Sequence, residues 1–69
     1  MRTYSAVIER DPDTGWYVGY IPGWPGAHSQ GATLDELHEN LQEVVELLLE
    51  DGEPKVNAEF VGIHTVRVG

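Results

Sequence analysis

Three histidines, His28, His38 and His64, and twelve Asp/Glu are the side chains here best suited to bind a metal or move a proton. No two histidines stand at the i, i+4 spacing that places a pair on one helix face, and there is no HExxH run. Cysteine is absent, which excludes thiolate zinc sites and disulfides. Glu9 and Glu59 could approach a helix carboxylate, as a two-metal nuclease would need. Such an enzyme must also grip a polyanion, and four Lys/Arg are too few for that. The only serines are Ser5 and Ser29. His28 next to Ser29 in sequence is not the geometry of a nucleophile and its base. The glycines of Pro22-Gly23-Trp24-Pro25-Gly26 match neither GxGxxG nor a P-loop, so no phosphate cradle is expected. The residues thus predict no catalytic group, no cofactor and no metal site, and a protein that is not an enzyme.

Binding is the remaining chemistry. Glu36, Glu39, Glu43, Glu46 and Glu50 recur on one side of a predicted helix. Such a face is either simply solvated or a steering surface for a basic partner. At 100° per residue Leu47 falls among Glu36, Glu43 and Glu50, opposite the apolar stripe, which makes it a candidate contact for another chain. Trp24, held between Gly23 and Pro25, is either a binding anchor or a plug folded over the sheet edge. These seven residues are the candidate partner-binding set.

The elements that must position them are well marked. Thr3–Arg10 is rich in strand formers, Asp11-Pro12-Asp13-Thr14-Gly15 has turn chemistry, and Trp16–Ile21 reads as the return strand of a hairpin. Pro22–Gly26 stops that strand, and Ala27–Gln30 has room for a short third one. Thr33 with Glu36 three residues on has capping-box spacing, and Asp35 and Glu36 add negative charge to the first turn. Leu34, Leu37, Leu41, Val44 and Leu48 form one stripe, widened by Val45 and Leu49. Asp51-Gly52 and Pro54 end the helix, which is predicted over about 34–50. Ala58–Val68 reads as a final strand with apolar residues on both faces: Val61 and Ile63 on one, Phe60, Val66 and Val68 on the other. The expected fold is α+β, a two-layer β-β-β-α-β domain over residues 1–69. A sheet order of 3-2-1-4 is expected, with the helix on one face.

Size and charge narrow the partners. A chain of 7.7 kDa should expose about 4,300 Å² when compactly folded, having buried about 60% of its unfolded surface. With no disulfide to help, that is marginal, and self-association into a homo-oligomer is expected. The doubly apolar last strand points the same way. A net charge of −8 repels nucleic acid and anionic membrane surfaces, so neither is an expected partner. The N-terminus lacks a signal-peptide h-region and no apolar run approaches the ~20 residues that span a bilayer, so a cytoplasmic protein is expected.

Tyr20-Ile21-Pro22-Gly23-Trp24-Pro25-Gly26-Ala27-His28-Ser29-Gln30-Gly31-Ala32-Thr33-Leu34-Asp35-Glu36-Leu37, followed by Glu39-Asn40 and the Leu/Val/Glu-rich helix, resembles the HicB-like antitoxin family. The Pro-Gly, the Gln-Gly and the capping Thr33 with Glu36 match that family in order and spacing. Ala27-His28 stands where it often has Gly or Ala with Cys or His, and Leu37 replaces a frequent Ala. The resemblance covers nearly the whole chain. It implies a partial ribonuclease-H-like fold without that fold's catalytic carboxylates, and a non-catalytic antitoxin of a type II toxin-antitoxin system. Such antitoxins block HicA, a small basic toxin that cleaves mRNA. Many members add a C-terminal DNA-binding module; none follows the last predicted strand here, so direct operator binding is not expected. The alternative is an orphan domain that associates only with itself.

Overall fold

The computed structural model describes residues 2–69 and contains three strands and one helix. These are β1 (Val7–Arg10), β2 (Tyr17–Tyr20), β3 (His28–Gly31) and α1 (Leu34–Leu49). The sheet is an antiparallel meander in the order β1-β2-β3. The hairpin turn closes as its residue types dictate. Asp11 accepts the backbone N–H of Asp13 on its side chain at 2.9 Å, and Gly15 takes φ +78° while donating to the Asp11 carbonyl at 2.7 Å. Arg10 lies over the Tyr17 ring, 5.9 Å from its centroid.

The register explains how one helix seats on so small a sheet. Ile8, Gly19 and Ser29 are mutual neighbours across the three strands, and Tyr17 pairs with Gly31. Gly19 and Gly31 therefore share one face, and their missing side chains form a slot. Leu37 fills it and is 1% exposed. A Cβ on Gly31 would lie 2.5 Å from the Leu37 backbone nitrogen, and one on Gly19 would lie 3.4 Å from the Leu37 methyls. Gly31 is thus required for close approach of helix and strand. The helix begins where the capping pair placed it: Thr33 Oγ1 accepts the Glu36 N–H at 3.1 Å. It ends at Leu49 with Glu50 as C-cap, and Gly52 at φ +114° donates to the Leu49 carbonyl. Asn40 Nδ2 adds a bond to the Gln30 carbonyl at 2.8 Å, tying helix to β3.

A second cluster fills the end of the sheet. Ile21, Trp24 and Ala27 are buried in the loop after β2, and Tyr4, Ala6, Val45, Leu48 and Leu49 pack against them. The loop is braced by its own backbone: Ile21 N–H donates to Ala27, Trp24 to Ile21 and Ala27 to Trp24, at 2.9–3.2 Å.

Two expectations change. Leu34, expected to open the buried stripe, is 55% exposed: it is the first residue of the helix, and a helical side chain leans back over the turn before it, which here does not exist. The fourth strand of the expected 3-2-1-4 sheet is also not formed among the described residues. Residues 58–68 have no ladder partner, and Val61, Ile63, Val66 and Val68 are 75–94% exposed. The helix packs chiefly on β3, less on β2 and not on β1, and among the described residues nothing covers Val61, Ile63, Val66 or Val68.

Candidate partner-binding surface

Helical periodicity and a stripe turned to the sheet leave the opposite side of α1 to the carboxylates. Glu36, Glu39, Glu43, Glu46 and Glu50 are all exposed, and Asp35 extends the face into the first turn. No cation stands in the last turn to offset them. Of the cations near the folded body, Arg2 pairs with Glu53 and Arg10 covers Tyr17, so neither neutralises this face. Glu46 accepts a bond from Gln42 Nε2 at 3.3 Å, a weak contact that leaves its charge free.

Leu47 stands on this face as the sequence placed it. It is 64% exposed and lines a shallow depression with Glu43, Glu46 and Glu50. An apolar side chain ringed by three carboxylates is suited to a partner that is basic at its rim and apolar at its centre.

Trp24 does not join this surface. It is 8% exposed, and its ring meets Tyr4 at 5.1 Å between centroids with a 54° tilt. Its burial matches a plug folded over the end of the sheet and leaves little of the ring free to act as an anchor. The two Pro-Gly pairs fold the loop inward, which puts the ring over the apolar end of the sheet.

The histidines fall on three separate elements: His28 on β3, His38 on α1 and His64 in the C-terminal segment, all exposed. Among the described residues no three His, Asp or Glu side chains gather closely enough to hold a metal ion. No described helix is long and apolar enough to cross a membrane.

One surface was not anticipated from the sequence. A groove of about 730 Å³ runs between α1 and the segment leading into β1, lined by Tyr4, Ala6, Ile21, Leu41, Val45 and Leu49 and also by the polar Arg2, Thr3, His38, Gln42 and Glu46. Its signal was the widening of the helix stripe by Val45 and Leu49, more apolar surface than a narrow sheet can cover.

No protein-family model matches the chain, and no solved structure is detectably similar. Relatives of comparable length are found. A Thermotoga maritima UPF0150 protein is 41% identical over 68 residues, covering 97% of this chain and 91% of the relative. A UPF0150 protein of Synechocystis is 46% identical over 65 residues, covering 94% and 93%. One from Archaeoglobus fulgidus is 43% identical over 65 residues with the same coverage. With identity of this level sustained from end to end, the chain belongs to the UPF0150 family.

Proposed function

We propose that this protein is a non-catalytic, cytoplasmic binding module of the HicB antitoxin type, which neutralises a small basic HicA-type toxin by direct contact. The observation that carries the proposal is the helix face of Glu36, Glu39, Glu43, Glu46 and Glu50 with the exposed Leu47 in its midst. A chain of net charge −8 attracts a cationic protein over several ångströms, and the carboxylate row fixes where it lands. The toxin's RNA-binding surface must itself be cationic, so occupying that surface blocks its substrate without any chemistry by the antitoxin. The Pro-Gly loop and the Gln-Gly turn, which carry the resemblance to HicB-like chains, do structural work in this reading. They bury Trp24 and bring Gly31 under Leu37, and so hold the acidic helix on the sheet.

The test is co-expression with a neighbouring gene for a small basic protein, then affinity measured across a salt series. Binding that weakens steeply as salt rises, and fails in the E43K/E46K variant, supports the proposal. Binding indifferent to salt and to that variant overturns it.

A further inference from the structure

We infer that two copies of this chain exchange their C-terminal segments, residues 60–68 of each adding as a fourth strand to the open edge of β1 in the other. Four observations converge on a second copy as the occupant of that edge.

The first is surface. The chain exposes 5758 Å². A compact chain of this mass exposes about 4,300 Å², an excess of roughly 1,400 Å² per copy. Twice that excess, about 2,800 Å², falls among the interfaces of homodimers that do not exist as separate monomers. The second is shape. The radius of gyration is 13.5 Å, against about 11 Å expected for this length, and the molecule extends 46 Å along its long axis but only 19 Å along its shortest.

The third is where the segment starts and what awaits it. Asn57 N–H donates to the Gly23 carbonyl at 2.7 Å, and the Ala58 backbone lies where a Gly23 side chain would be. The root is thus fixed at the end of the sheet where β1 begins. Beyond it Val61 and Ile63 are 94% and 91% exposed. Meanwhile β1 is paired on one edge only among the described residues, and the apolar groove between α1 and residues 3–6 lies beside its start. Nine residues in extended form reach about 30 Å, enough to run the length of residues 3–10. Strand addition satisfies the edge's backbone groups and lowers apolar side chains into the groove. A strand apolar on both faces suits a dimer, where the groove of one copy and the body of the other can cover the two sides.

The fourth is charge. Residues 60–68 carry Arg67 and no Asp or Glu, whereas eleven of the twelve Asp/Glu lie in residues 1–53 with only Arg2 and Arg10. The segment brings no carboxylate to a body that is strongly anionic.

Sedimentation of the full chain tests this directly, and the absence of cysteine makes cross-linking clean. A dimer with a dissociation constant in the micromolar range or below is expected. Mixed E9C and T65C single variants should cross-link between chains with a short bis-maleimide. The I63D/V66D variant should weaken association by more than about a hundredfold, because it would bury two unpaired carboxylates. Far-UV circular dichroism should show its helix retained. A monomer at all concentrations overturns the inference. So does a dimer indifferent to I63D/V66D, or a mixture of single variants that fails to cross-link while the E9C/T65C double variant cross-links within one chain, which would mean the strand folds back on its own sheet. No toxin enters these measurements, so their outcome is separate from that of the antitoxin reading.

Discussion

The loop Pro22–Ala27, around Trp24, and the segment Phe60–Val68, with five large apolar residues, both carry apolar surface, yet one is a core and the other stands in solvent. Trp24 is 8% exposed and Ala27 1%, while Val61 is 94%. Hydrophobicity does not separate them; closure does. The loop satisfies its own backbone through short-range hydrogen bonds and returns to the sheet within a few residues. Among the described residues the segment has no strand partner for its N–H and C=O groups, although its first residues lie beside Thr3, Tyr4 and Ser5. A short loop can therefore bury itself, but an isolated strand needs a second strand.

The largest expected effect breaks the loop side. Trp24→Ala removes the ring that Tyr4 meets and the largest member of the cluster against which Val45 and Leu48 pack, with a cost of about 4 kcal/mol. A domain this size has roughly 3–10 kcal/mol in all. The variant should therefore lose much of its helical dichroism at room temperature, and a urea midpoint shifted only slightly would show the loop is not core. Next is Gly31→Ala. The added methyl would meet helix backbone, which yields less readily than a side chain, so a loss of about 2–3 kcal/mol is expected in denaturant melts. Thr33→Ala removes the bond to the Glu36 N–H and should cost about 1 kcal/mol.

Those positions also mark how far the sequence could be read. The turn at Asp11–Gly15, the Thr33 cap and the acidic face with Leu47 were all legible, because each follows from residue types and spacing within a single element. The slot made by Gly19 and Gly31 was not read from the sequence, although glycine inside a strand pattern is its usual signal. It needs the register of two strands and the phase of the helix together. Trp24 was ambiguous for the same reason: a rigid loop fixes a ring without saying which way it faces. Leu34 and the final strand went astray because periodicity reports which residues want cover, not whether any cover is within reach. The doubly apolar pattern of Phe60–Val68 was itself the clue, being more than one helix over three strands can hide.

The smallest effect sharpens the comparison most. Val61→Ser alters a side chain that is 94% exposed in the single chain. Under conditions dilute enough to hold the protein monomeric, its unfolding free energy from urea melts should change by less than about 0.5 kcal/mol, as for any surface change. At higher concentration the wild type should gain stability by mass action and the variant should gain less, since association stabilises only the folded form. A loss above about 1 kcal/mol already present at high dilution would place Val61 in the monomer's own core, and the contrast between loop and segment would collapse. Equal gains for both chains would mean that association is real but bypasses this segment. The concentration dependence of the melt thus separates burial within a chain from burial between chains, which a single stability value for Val61→Ser cannot do.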